Sequence, residues 1–275
     1  MRRTASSVQR AATAVKRRAS HGNEPRIVTR PTSDEPPRPD RGGQTPNPKP
    51  RTPPAVIAID GPAGAGKTTI ARRVARTLGW LHVDTGAMYR ALAWNVLQHG
   101  CDPDHERAVL VVTRARRLRL TPTRHGTLRV FLNGDEITRQ IRRPEVSALV
   151  SRVARHRRVR HWMVQRQRAM ARRRPVVMEG RDIGTVVFPH ARWKFFLSAS
   201  LTERARRRHA ELTAEGERVT RAQVMHDVRL RDRLDRHRPL GALKAAPDAR
   251  RLDTTHLSVR EVAQRMLEVV RGCCC

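Results

Sequence analysis

The sequence predicts an α/β fold built on a central parallel sheet. Three observations carry this. Short apolar runs alternate with runs of helical period; the first apolar run is closed by a glycine-rich loop that opens a helix; and a block of different texture, residues 115–174, interrupts the alternation before it resumes.

The elements follow in order. From Ala55, "AVIAID" is a strand-length apolar run, and "TIARRVARTLG" places Ile70, Val74 and Leu78 on one helical face before Gly79. "WLHVDTG" predicts a second strand and "AMYRALAWNVL" a second helix. "RRLRL" and "TLRVFLNGDEIT" predict short antiparallel strands, the second ending in an Asn133-Gly134 turn, followed by a basic helical stretch to Arg174. "PVVMEGRD" and "RWKFFLSAS" return to the strand-then-helix pattern. Thr220 with Gln223, and Ser258 with Glu261, have capping-box spacing, and Leu257 with Val262 adds a hydrophobic staple.

Residues 1–54 are rich in proline and polar residues and have no apolar period, so they are expected to be a disordered basic extension ahead of a folded domain at 55–275. Their first 22 residues contain no acid, as in an organelle transit peptide. The formal charge of +32 raises nucleic acid as a partner, yet only five basic residues are lysine. Arginine has largely displaced lysine throughout, which fits a compositional bias, and one Tyr with four Phe offers little stacking surface. Nucleic acid is therefore not the expected partner. No run approaches the roughly 18–20 apolar residues of a membrane span, so no membrane partner and a cytoplasmic location are expected. Cys101 stands alone and Cys273–Cys275 lack the spacing of a zinc site, in keeping with a reducing compartment.

The most specific signal is "GPAGAGKT", which matches G-x-x-x-x-G-K-[ST] at every fixed position, between a predicted strand and a predicted helix. Gly61, Gly64 and Gly66 permit the tight turn; Pro62, Ala63, Ala65 and Thr69 complete the loop; Lys67 would reach the β- and γ-phosphates; and Thr68 would ligate magnesium. ATP and Mg²⁺ are the expected cofactors. No N-K-x-D motif selects guanine, so a GTPase switch has little support.

The receiver of the phosphate must also be a charged site. "DTGAMYR" supplies Asp84, Thr85 and Arg90 after a strand, and "EGRDIG" supplies Arg181 and Asp182 after another. In "RLRDRLDRHR", Arg231, Asp235 and Arg238 fall at i, i+4 and i+7, on one helical face, although a plain salt-bridged helix explains that trio equally well.

Taken together, "IDGPAGAGKTT", "VDTGAMYRALA", "VVMEGRDIGTVVFP", "FFLSASLTERARRRHAEL", "RDRLDRHR" and "LDTTHLSVREV" resemble, in order and spacing, the bacterial cytidylate kinases, over residues 56–270. The resemblance implies a P-loop NTPase fold of the nucleoside monophosphate kinase type, with a central parallel sheet, a small antiparallel CMP-binding insertion near 115–174 and a mobile lid near 203–219. It implies that Thr85, Ser151, Arg160 and Asp182 address the cytosine. Arg90, Arg181, Arg231 and Arg238 would surround the CMP phosphate, and Asp235 would hold the sugar. Arg204, Arg207 and Arg208 of the lid would fold over ATP, with Lys67, Arg181, Arg204 and Arg208 as the catalytic set.

One departure is "PLGALKAAPDA" where the family has a shorter proline-leucine-lysine turn, and no named contact is expected to depend on it. The expected activity is phosphorylation of CMP and dCMP by a monomer. A related kinase acting on UMP or shikimate, a nucleic-acid-binding protein with a regulatory loop, and an anchoring role for residues 1–54 remain as alternatives.

Overall fold

The computed structural model describes residues 55–123, 128–172 and 174–272. The proline-rich extension and the cysteine triplet lie outside the described residues. In chain order the elements are β1 Val56–Asp60, α1 Lys67–Leu78, β2 Leu81–Asp84, α2 Thr85–Gln98, α3 Glu106–Arg114, β3 Leu118–Pro122, β4 Leu128–Leu132 and β5 Asp135–Glu136. They continue with α4 Pro144–Ala154, α5 Arg157–Met170, β6 Val176–Gly180, β7 Trp193–Ser198, α6 Leu201–Ala214, α7 Arg221–Arg236, β8 Arg250–Asp253 and α8 Val259–Gly272.

Five strands form a parallel sheet in the order β2-β6-β1-β7-β8. The sheet is covered on both faces, which is why its central strands read as unbroken apolar runs. Ile57 and Ile59 of β1 point into a core shared with Val74 of α1 and Met266 of α8. Ala58 points the other way, into a core with Leu92 of α2, Val150 of α4 and Met163 of α5.

The small second sheet is antiparallel, ordered β3-β4-β5, and its Asn133-Gly134 turn has φ of 55° and 106°. Two positive φ values are what a tight hairpin turn of this twist demands. Val130 and Leu132 of this sheet pack on Ala87 and Ala91 of α2, which ties the insertion to the main core. Helices α6 and α7 pair around Leu212, Val224 and Val228. The capping box at Thr220 is formed, and Ser258 and Glu261 exchange the two reciprocal bonds of another.

Three features differ from expectation. Helix α3 is short, with only Val109, Leu110 and Thr113 buried, and β8 is an edge strand with no buried residue, so neither announces itself by periodicity. Helix α7 ends at Arg236, so Arg238 lies beyond the helix rather than on its face. Among the described residues no helix is long and apolar enough to cross a membrane.

Candidate active site

The carboxyl ends of β1, β2 and β6 meet along one edge of the sheet, with Asp84 in register with Glu179 and Asp60 in register with Gly180. In open α/β sheets this edge is where ligands bind. The loop after β1 turns tightly there. Gly61, Gly64 and Gly66 have φ of 149°, 75° and 81°, and a Cβ on Gly61 would lie 2.1 Å from the Leu197 carbonyl oxygen. Gly66 caps α1 without a side-chain hydrogen bond, and the first turn of α1 has no acid. The open N–H groups of that turn suit an anion.

Lys67, 7% exposed, folds its ammonium onto the Pro62 carbonyl at 2.6 Å. Burial, reinforced by the charge of Arg181, pushes its pKa down to about 7. Thr68 Oγ1 donates to Glu179 Oε2 at 2.9 Å. A cationic loop, an uncapped helix and hydroxyl and carboxylate oxygens fit a triphosphate with its magnesium ion. Among the described residues no cluster of three or more His, Cys, Asp or Glu could cage a metal, and magnesium in such sites takes few protein ligands beside phosphate oxygens and water.

Next to the loop is a cavity of about 360 Å³. Asp235, 1% exposed, accepts from Arg181 Nε at 2.7 Å, from Ser151 Oγ at 3.2 Å and from Arg238. Against the cost of burial, Arg181, Arg238 and Arg231 hold its pKa down to about 2. Arg231 is pushed down to about 10 by burial and then by Arg181, and its buried Nε has no partner. Arg181, Arg231 and Arg238 thus converge on Asp235 along one cavity wall, an arrangement that suits an anion such as a phosphate.

Toward the insertion, Arg160 pairs with Asp182 and sits 5.6 Å over the Tyr89 ring, while burial pushes Tyr89 up to about 12. Asp182 enters a π-helical turn, Ile183–Val187, closed by the Phe188 N–H on the Ile183 carbonyl at 2.7 Å. Such turns recur at functional sites. Asp60 holds this one by accepting the Ile183 and Gly184 N–H groups at 2.8 and 2.7 Å.

Of the expected donor residues, Ala63, Gly64, Gly66, Lys67, Thr68 and Thr69 line the cavity, while Gly61, Pro62 and Ala65 shape the loop behind it. Of the expected acceptor residues, all but Ser151 line it, and Ser151 stands behind Asp235. Arg90 reaches Asp84 at 3.0 Å, and the Thr85 hydroxyl donates to the Glu179 carbonyl at 2.7 Å.

The three arginines expected in a lid divide. Arg208 lines the cavity. Arg204 does not: it is buried, donating to the carbonyls of Ala199 and Ala63 at 3.0 and 3.1 Å and pairing with Asp232 at 2.7 Å. Arg207 bonds Glu203 at 2.8 Å and Thr254 Oγ1 at 3.0 Å, beside the loop. Both brace the phosphate loop from outside the cavity.

Sequence reasoning passed over Asp60, Glu179, Tyr89 and Asp232. Asp60 and Glu179 had a signal, an acid at the carboxyl end of an otherwise apolar strand. The departure at "PLGALK" also needs correction. Gly241, with φ of 68°, comes so close to the Arg160–Asp182 pair that a Cβ there would lie 2.1 Å from Arg160 Nη2, so a named contact does depend on this turn.

The family model described as cytidylate kinase matches residues 57–272. A cytidylate kinase of Geobacillus kaustophilus is 50% identical over 214 residues, covering 78% of this chain and 95% of that protein. One from Geobacillus thermodenitrificans is 49% identical over the same shares. A solved shikimate kinase from Acinetobacter baumannii overlaps at a TM-score of 0.35 and 17% identity, covering 80% of this chain and 94% of that one. With the family match running from β1 to the end of α8, and every second aligned residue shared with a named relative, the chain belongs to the cytidylate kinase family.

Proposed function

We propose that the chain transfers the γ-phosphoryl group of ATP to CMP and dCMP, giving CDP and dCDP. The observation that carries the reading is one cavity lined by both Lys67 of the phosphate loop and the Arg181–Asp235–Arg231 cluster, so that donor and acceptor phosphates share a wall. A bound magnesium ion would neutralise charge between the β- and γ-phosphates.

The loop N–H groups and Lys67 hold the donor, with Thr68 as the protein ligand of the ion. Arg90, Arg181, Arg231 and Arg238 hold the acceptor phosphate, whose oxygen needs no general base because it is already anionic. Asp235 reaches the sugar, and Thr85, Ser151, Arg160 and Asp182 serve the base side, Ser151 and Arg160 from within the insertion of residues 115–174. Arg204, Arg207 and Arg208 belong to the lid of residues 203–219, whose closure excludes water and limits ATP hydrolysis. Charge stabilisation by Lys67, Arg181 and Arg208 then supplies the catalysis, while Arg204, expected in that set from the sequence, braces the loop through Ala63 and Asp232. The reading includes a monomeric cytoplasmic protein, in keeping with the free thiol at Cys101.

The test is product identification after incubation with ATP, magnesium and a panel of CMP, dCMP, UMP, AMP and shikimate. CDP and dCDP are expected as the fastest products. Faster turnover of UMP or shikimate, or no CDP at all, overturns the assignment.

A further inference from the structure

One buried side chain reaches the donor loop from the edge of the sheet. His82 lies on β2 between Leu81 and Val83 and is 7% exposed. Its Nε2 stands 2.9 Å from Glu179 Oε1, and the other oxygen of that carboxylate accepts the Thr68 hydroxyl at 2.9 Å. A carboxylate offers only lone pairs, so both hydrogens come from its partners, the imidazole and the hydroxyl. In a neutral imidazole, donation through Nε2 leaves Nδ1 with a lone pair, and Nδ1 is buried without a hydrogen-bond partner. The Thr85 hydroxyl holds the Glu179 carbonyl at 2.7 Å, so Glu179 is fixed through its backbone and both carboxylate oxygens.

A buried polar side chain on an apolar strand calls for a reason. We propose that His82 is a positioning residue of the donor site: it pins Glu179 so that the Thr68 hydroxyl proton is drawn toward the carboxylate, leaving the lone pairs of Thr68 Oγ1 for the magnesium ion of the bound nucleotide. Partners one step removed from a metal orient its ligands in this way. The inference rests on the magnesium-nucleotide reading of the loop. His82 makes no hydrogen bond described above to Lys67 or to the cavity's arginines, and its link to the loop runs through Glu179 to Thr68.

The test is calorimetric titration of the full chain with ADP, with and without Mg²⁺, for wild type, His82→Leu and His82→Gln. The leucine variant is expected to lose about tenfold in affinity for ADP with Mg²⁺ while binding metal-free ADP as wild type does. The glutamine variant, whose amide N–H can reach the same carboxylate oxygen, is expected to keep most of the metal-linked gain. The proposal is overturned if His82→Leu keeps that gain, if both affinities fall in equal proportion, or if His82→Gln falls as far as His82→Leu.

Should the leucine variant not fold, the imidazole ¹⁵N shifts of wild type, assigned against His82→Gln, decide. A shift on adding ADP with Mg²⁺ but not with ADP alone supports the proposal, and its absence overturns it. If wild type binds ADP in neither condition, the donor-site reading falls together with the inference.

Discussion

Arg181 donates from Nε to Asp235 Oδ2 across 2.7 Å, joining the residue that follows β6 to the last turn of α7. The bond joins two segments far apart in the chain along one wall of the cavity. Asp235→Ala leaves Arg181, Arg231 and Arg238 close together without their shared counter-charge. It is expected to lower stability by about 3–5 kcal/mol in denaturant unfolding, the usual cost of breaking a buried pair. Added CMP should recover part of the loss, and KM for CMP should rise while KM for ATP holds.

Lys67 yields a proton-linkage prediction. In the free protein burial and Arg181 depress its pKa to about 7, whereas a neighbouring triphosphate favours the charged form. Between pH 7 and the ordinary lysine range, ATP binding should therefore take up a proton, and affinity should fall as pH rises above 7. Calorimetry at pH 8 in two buffers of different ionisation enthalpy measures the uptake. Lys67→Met should abolish both the uptake and phosphoryl transfer.

Asp60 acts in the opposite sense. Burial raises its pKa from 3.8 to about 7, against the Gly184 and Ile183 N–H groups. The folded state thus prefers the protonated acid, so this contribution to stability is fully present below pH 3.8 and is lost as pH rises through about 7. Melting temperatures across pH 4–8 should show that decline in wild type, and Asp60→Asn should flatten it. A decline of equal slope in the variant would assign it to other groups.

Arg204 and Arg208 of α6 separate structure from chemistry. Arg204→Ala removes the buried partner of Asp232 and two bonds to carbonyls, and should cost about 3–5 kcal/mol of stability. Arg208→Ala removes a half-buried cation from the cavity wall, paired only with the exposed Glu211 at 3.0 Å among the described contacts. It should leave the melting temperature nearly unchanged and lower kcat by about 10²–10³, the usual loss on removing one charge-stabilising donor. Unfolding and steady-state rates measured on both variants check the contrast.

What the sequence disclosed depended on how local the signal was. Gly61–Thr68 is contiguous and has a fixed spacing, so its strand, turn and helix could be placed from the residues alone. Arg231 and Asp235 kept helical spacing and landed together in the cavity, whereas Arg238 reached Asp235 from beyond the helix end, a boundary that Pro239 marks and that the i+7 spacing alone ignores. Arg204 could not be sorted from its neighbours, because in so arginine-rich a chain its burial is decided by Asp232 and Ala63, one on another helix and one on the phosphate loop. Glu179 and His82 are coupled only by the parallel pairing of β2 with β6, which no window along the chain can contain.

The strand order has a modular consequence. Everything from α2 to α5 hangs in the crossover between β2 and β6, which are neighbours in the sheet, and the amide of Leu81 bonds the Pro175 carbonyl at 3.1 Å where the excursion returns. Such a segment behaves as a cassette: it can lengthen, shorten or exchange its contents without re-threading any strand. The phosphate loop sits on β1, on the far side of β6, and is untouched by such exchange. Divergence on the base side of the acceptor would then begin in one bracketed insert, which carries Thr85, Arg90, Ser151 and Arg160, while the donor loop and the Arg181–Asp235 cluster outside it are inherited whole.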